Sequence, residues 1–355
     1  MCILSYGQGA GNRGAAMAAT SRELVYQALN FDRPERAPRH LWTMPWSETR
    51  YTHEIAAILA NFPGDMAGAP GYCAELPPTE GDPHEVGWFR DEWGCLFKNI
   101  QAGVIGEVKD PLVKDWGADT GKVHVPREWL TIDRDRVNRF CAERSEFITG
   151  GCCPRPFEQL QFLRGTAELY TDVLAPPPDM LSFVRDMHAF YCELLEVWAA
   201  TDVDGLNIMD DWGGQNSLLI DPAVWREIFK PMYRDYIEIA HGAGKKMFMH
   251  TDGHTLSIFP DLIELGLDAI NAQIFCIGVD MLAPFAGQIT FWGEIDRQHL
   301  LPHGTPEDID RAVRTVYETL WRNGGCIAQC EFGPGARPEN VREVFVAWDA
   351  LTLKE

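Results

Sequence analysis

The chain has 355 residues, 46% of them hydrophobic, so it can build a sizeable core, and no sharp change of composition divides it. A formal net charge of −21 makes a surface that repels phosphate backbones and anionic lipid, which argues against nucleic acid and acidic membranes as partners. No apolar run approaches the roughly 20 residues of a membrane span. The ten cysteines lie mostly scattered in apolar runs, and no signal peptide precedes them, so a reducing cytoplasm with free thiols is the expectation.

Residues 1–20 are small, glycine-rich and unpatterned and read as a disordered leader, with Met17 a start nearer the functional part. Residues 21–355 read as a single domain. Ser21-Arg22-Glu23-Leu24 opens a helix that runs to Phe31, and Asp32-Arg33-Pro34-Glu35-Arg36 ends it. A first strand is predicted over 39–42. The segment 44–51 follows, with Trp46, Arg50 and Tyr51 facing whatever lies above it, and then a helix over 51–61. The Pro- and Gly-rich stretch 63–83 reads as a long loop. Residues 87–97 alternate around Gly94, which predicts a β-hairpin inserted beside the main fold. A linker over 110–116 and a helix over 133–144 come next.

From Phe147 strands and helices alternate to the end. Strands are predicted over 147–151, 205–209, 247–250, 269–272, 289–292 and 326–330. Between and after them the helices read as 156–164, 180–201, 256–265, 281–285, 306–322 and 341–351. The stretch 205–253 carries the pattern most clearly. Asp221-Pro222 supplies an N-cap oxygen and a proline that needs no amide partner. Val224, Ile228, Met232, Tyr236 and Ile239 fall on one helical face, and Gly242 and Gly244 end the helix near His241. Repetition of this kind closes as an α/β fold, a (β/α)8 TIM barrel with an N-terminal extension and the inserted hairpin. A doubly wound open sheet would want a glycine phosphate loop after an early strand, and none is present.

In such a barrel the chemistry sits at the C-terminal strand ends, where the loops converge. Those ends carry Asp210 and Asp211; His250, Asp252 and His254; Gln273 and Cys276; Glu294 and Asp296; Gln329, Cys330 and Glu331. Residues two apart on a strand face alike, so His250 and Asp252 can share a metal, and a Cys330 thiolate from another strand makes three protein ligands with a position left open, as in catalytic zinc. Each has a plainer role too: His250 bonded to a loop, Cys330 as a small core residue, Asp252 before Gly253 as a turn former. Cys326 reads as core, and Cys152-Cys153 point to opposite faces. Of Asp210 and Asp211 at most one faces the mouth unless the strand has ended. Asp211, Glu294 and Glu331 are the candidate catalytic carboxylates. Trp42, Trp46 and Trp212, with Gln273, are candidates for a substrate wall, though core packing also explains the tryptophans.

The segments MDDWGGQNSLLIDPAVWREIFKP, GKKMFMHTDGHTLSIFPDLIELGLDAINAQ, FWGEID and GGCIAQCEFGPGARPEN, with SRELVYQALNFDRPERAP near the start, resemble the uroporphyrinogen decarboxylase superfamily. The resemblance implies a (β/α)8 barrel with its site at the C-terminal mouth. True uroporphyrinogen decarboxylases are metal-free and carry an arginine-rich MRQAGRYLPEY-like segment and an FSDI-like loop. Here the corresponding region reads RHLWTMPWSETRYTHE, without the cations that a polycarboxylate substrate needs. The resemblance is nearer to the branch of zinc-dependent methyltransferases that move a methyl group between a corrinoid protein and a thiol or methylated substrate. On that pattern His250 matches the first ligand and Cys330 the last, while Asp252 stands where a cysteine is expected. Glu294, Asp211 or Glu331 would be a fourth ligand or act nearby. An oxygen ligand leaves zinc more Lewis-acidic, suited to activating a thiol or polarising the ether oxygen of a methoxy compound. The expectation is a zinc-dependent methyltransferase working with a corrinoid partner. The alternatives are a metal-free decarboxylase of a smaller acid, with Asp211 or Asp252 handling the proton, and a non-catalytic barrel that binds a corrinoid or other ligand.

Overall fold

A computed structural model describes residues 18–353. Residues 1–17, most of the predicted leader, lie outside the described residues. Thr20 already belongs to the first helix, Ser21–Leu29. Its side chain accepts the Glu23 N–H, and the Glu23 carboxylate accepts the Thr20 N–H in return, so two otherwise orphaned donors are satisfied at the helix start.

Eight parallel strands form the main sheet: β1 (Arg39–Thr43), β2 (Met66–Gly68), β3 (Phe147–Thr149), β4 (Gly205–Met209), β5 (Lys246–Thr251), β6 (Ala269–Ala272), β7 (Thr290–Trp292) and β8 (Cys326–Phe332). Their order around the sheet is β1, β8, β7, β6, β5, β4, β3, β2. Asp65, just before β2, bridges the two end strands. Its N–H donates to Arg39 O at 2.8 Å and its Oδ2 accepts the Arg39 N–H at 2.7 Å, so the sheet curls into a nearly closed barrel.

Two expectations change in detail. β2 lies inside the predicted long loop. It is three residues long and too short for alternation to show, yet it pairs with β3 along its whole length. The single helix expected after Asp221 is two, Pro222–Ile228 and Lys230–Gly242. Pro231 has no N–H to continue the first helix, so the chain breaks at Phe229 and restarts. The predicted hairpin is present as Gly87–Arg90 and Leu96–Asn99, with Glu107–Val108 added as a third antiparallel strand.

The apolar residues form two clusters. Met66, Phe147, Phe248, Ala269, Trp292 and Ile327, one from each of six strands, fill the barrel, joined by Val25 and Leu29 of the first helix. That helix closes the N-terminal end of the barrel, bonded to Ser145 just before β3 and to Gly325 just before β8. The larger cluster lies between the sheet and the outer helices. The small cluster fixes which side chains face inward. With Phe248 and Ile327 inside, strict alternation turns His250, Gln329 and Glu331 inward and Cys326, Ala328, Cys330 and Phe332 outward. Among the described residues no helix is long and apolar enough to cross a membrane.

Candidate metal centre

The open end of the barrel brings Asp211, His250 and Asp252 together. One ligand atom from each lies within 4.8 Å of the other two. Their assembly depends on two glycines. Gly253 has φ +77°, and a Cβ built there would lie 2.1 Å from Gly213 O, so the loops after β4 and β5 touch backbone to backbone. Gly213 N–H donates to Asp252 O at 2.9 Å and His254 N–H to Gly214 O at 2.7 Å, while Asp211 Oδ1 accepts the Asp252 N–H at 2.9 Å. Gln273, at the mouth, accepts the Gly253 N–H at 3.2 Å.

The tautomer of His250 follows from its neighbour. The Asn271 amide donates to Trp292 O, which leaves its Oδ1 as acceptor, 2.6 Å from His250 Nδ1. Nδ1 therefore carries a proton, and Nε2 is the nitrogen turned to the mouth, the one free to ligate in the neutral ring. Nε2 is 3.8 Å from Asp211 Oδ1 and 3.7 Å from Asp252 Oδ1. Asp252 Oδ1 is buried and has no hydrogen-bond partner among the described residues. One atom from each of three ligand-type side chains thus converges there, with no donor placed between them among the described residues. A zinc ion bound at ~2.0–2.2 Å holds its ligand atoms no more than ~4.4 Å apart, a limit that both Nε2 distances meet. Burial, then the neighbouring Asp252 charge, pushes the Asp211 carboxyl up from its ordinary range.

Arg297 was not among the sequence candidates and organises the rest. Its guanidinium bonds to Asp252 Oδ2, to Glu331 Oε2 at 2.7 Å and, through Nε, faces Glu294 Oε1 at 3.4 Å. Asp252 thus gives one oxygen to Arg297 and keeps the other for the centre. Glu294 is 2% exposed and its Oε2 has no partner among the described residues. Burial, together with the charges of Glu331 and Asp252, holds its carboxyl well above the usual range against the pull of Arg297. Arg155 and Glu158, paired at 3.2 Å at the start of the helix after β3, were also missed. Burial lifts the Glu158 carboxyl to about 7, with Asp211 and Asp252 among the charges that raise it. Neither Arg297 nor the Arg155–Glu158 pair sits on a strand, so strand-end reasoning had no signal for them.

Two candidates are corrected. Cys330 is fully buried on the outer face of β8, in the helix-facing core, and does not join His250 and Asp252. Burial and the nearby Glu294 and Glu331 charges drive its thiol far above the ordinary value, so it is no ready thiolate. Trp212 also points outward. Its ring stacks on Phe157 at 4.2 Å and its Nε1–H donates to Tyr233 Oη at 2.7 Å, so it packs core and walls no substrate site. Trp46 packs against Tyr51, with Arg50 4.7 Å above its ring, and these contacts hold it in the segment after β1. Asp210 faces outward as well, accepting Phe157 N–H at 3.1 Å, Glu158 N–H at 2.7 Å and Tyr233 O–H at 2.8 Å; it caps a helix. Trp42 does border the centre, its ring 5.5 Å from that of His250. Both Trp42 and Trp292 donate their indole N–H to His40 Nδ1, at 3.3 and 3.0 Å, and burial pushes that imidazole down to about 4. A neutral aromatic floor therefore lies beneath the acidic mouth.

Beside the centre opens a cavity of about 130 Å³ whose lining includes Gln215, Gln273, Phe275, Cys276, Glu294 and Arg297.

The sequence profile of the family described as Uroporphyrinogen decarboxylase (URO-D) matches residues 118–351. No curated protein matches the chain. Among solved structures, a methyltransferase from Methanosarcina mazei is similar in fold, with a TM-score of 0.66 and 14% identity over 94% of this chain and 99% of that one. A D-psicose 3-epimerase reaches a TM-score of 0.37 at 11% identity, over 61% of this chain and 83% of its own, too distant to carry an argument.

Proposed function

The chain belongs to the uroporphyrinogen decarboxylase family, and from that footing we propose that it is a zinc-dependent methyltransferase, moving a methyl group between a corrinoid carried by a partner protein and a small substrate at the barrel mouth. The observation that carries the metal is the convergence of Asp211 Oδ1, His250 Nε2 and Asp252 Oδ1, with the last buried and unpartnered. The full-length likeness to a methyltransferase supports the choice of reaction within the family. The mouth also speaks against a polycarboxylate substrate. Asp211, Asp252, Glu294 and Glu331 crowd it, and its guanidiniums, Arg155 and Arg297, are paired with carboxylates already.

The residues have separable roles. Asp211, His250 and Asp252 would hold the ion. Asn271 keeps Nε2 free and aimed, and Arg297 ties down the second oxygen of Asp252. Zinc, when bound, supplies Lewis acidity toward a substrate sulfur or oxygen. Glu294 is among the residues that line the cavity, and its raised carboxyl is suited to hold or give a proton at the substrate. Cys330 is not part of this set. The corrinoid partner would dock over the open end.

Metal analysis of protein from zinc-supplemented growth tests the reading. One equivalent of zinc in the wild type and none in His250→Ala is the expected result. Substoichiometric metal in the wild type would refute it, and metal-free protein that released carbon dioxide from a small acid would replace it with a decarboxylase.

A further inference from the structure

The two guanidiniums of the mouth are used differently. Arg297 gives Nη1, Nη2 and Nε to Glu331, Asp252 and Glu294. Arg155 has a single carboxylate contact, Nη1 to Glu158 Oε2 at 3.2 Å, and its Nη2 rests 3.6 Å from the Met209 sulfur, a weak acceptor. Among the described residues no other acceptor meets its side chain, which is 35% exposed. A guanidinium carries five N–H donors in a fixed fork that fits two oxygens of one anion. Glu158 is also a weak counter-ion, because its carboxyl, lifted to about 7, is partly protonated near neutral pH. Arg155 thus keeps both donors and charge that its neighbours do not satisfy.

The place of this fork is the second observation. Leu206 and Ile208 pack in the outer core, so the pleat turns Asn207 and Met209 of β4 toward the barrel axis. Met209 pairs in register with His250 on the neighbouring strand, and neighbouring strands lie about 4.8 Å apart. Met209, Trp42 and Asp211 are only partly buried, so the mouth in front of them is open. The Arg155 guanidinium, seated on Met209, therefore faces the open mouth one strand away from the metal centre. We propose that Arg155 anchors the small substrate, an organic monoanion whose single oxyanion group takes two of its N–H donors while the methyl-bearing end lies toward Asp211, His250 and Asp252. One half-used guanidinium suits one such group and not the many of a polycarboxylate. The inference rests on the reading of this mouth as a methyl-transfer site, and it narrows the small substrate to a monoanion.

Isothermal titration at fixed ionic strength tests it, with sodium methoxyacetate as the anionic probe and 2-methoxyethanol as a neutral one that keeps the methoxy end. Methoxyacetate should bind the wild type about ten-fold or more tightly than the alcohol, as for hydrogen bonds to a charged group. Arg155→Met should lose that preference. Wild-type protein that binds methoxyacetate no more tightly than the alcohol, or not at all, would overturn the proposal, whatever the folding of the variant. So would a folded Arg155→Met protein with the wild-type preference, because a group other than Arg155 would then be receiving the anion. Metal content measured on the same samples, and the titration repeated after chelator treatment, separate the two claims. Full zinc with no preference for the anion refutes the anchor alone. A preference that persists in protein that takes up no zinc, and disappears in Arg155→Met, refutes the metal and leaves the anchor standing.

Discussion

Asn271 offers a sharp test of the centre, because it touches no proposed ligand atom and yet sets the chemistry of one. It is fully buried, and its amide joins His250 Nδ1 to the carbonyl of Trp292. Asn271→Ala removes the acceptor for the Nδ1 proton. The ring is then free to place its proton on either nitrogen and to rotate, and loss of such a partner lowers metal affinity ~10–100-fold. It also strips a donor from the Trp292 carbonyl in the barrel interior, which costs ~1–3 kcal/mol of stability. Asn271→Asp separates the two effects. Its carboxylate still accepts from Nδ1, so zinc affinity should stay near that of the wild type, but it can no longer donate to Trp292 O, so stability should fall. The assay is a competitive titration of zinc against a chromophoric chelator, with urea denaturation of the metal-free proteins alongside. If Asn271→Ala binds zinc within two-fold of the wild type while losing stability, Asn271 is merely packing, and the assignment of Nε2 as the ligand atom is wrong.

Two further outcomes follow from the same geometry. Cys330→Ala should bind zinc with wild-type stoichiometry, since the sulfur lies on the far face of β8; a zinc-free variant that stays folded would return Cys330 to the ligand set. Arg297→Met should destabilise the metal-free protein by ~3 kcal/mol, toward the lower end for a broken buried pair because Arg297 is 21% exposed, as it leaves Asp252, Glu294 and Glu331 without their shared cation. Urea denaturation within 1 kcal/mol of the wild type, or about that, would show that the cluster is hydrated.

The remaining test concerns pH. Burial raises the Asp91 carboxyl from 3.8 to about 6 while its Oδ1 accepts the Trp93 and Cys95 N–H groups. The folded chain then holds a proton that the unfolded chain gives up near 3.8, so the contribution of Asp91 to stability declines as pH rises from 3.8 to about 6 and stays lower above it. Asp91→Asn keeps an acceptor for both N–H groups and removes the titration. Its melting temperature relative to the wild type should climb across that window; a constant offset from pH 4 to 7 would refute the shift.

The barrel was legible because its signals are local. Alternating strand and helix, the Asp221-Pro222 helix start and the polar residues at each strand end can all be read within a few positions. β2 was hidden for the same reason in reverse: three residues between Pro63-Gly64 and Pro70 carry no period. At the site, His250 and Asp252 share a strand end, and their common facing follows from the pleat alone. Asp211 joins them only because Gly213 and Gly253 let two loops meet.

Cys330 was misplaced because all seven residues of β8 are buried. A strand with apolar surroundings on both faces shows no amphipathic alternation, so nothing along the chain says which parity faces the axis. That choice is made by closure, when Ile327 meets Phe147, Phe248 and Trp292 inside the cylinder. Arg297 is a similar case. Its partners come from three separate segments, and a guanidinium that neutralises carboxylates so far apart in sequence acquires its role only when folding brings them within hydrogen-bond reach.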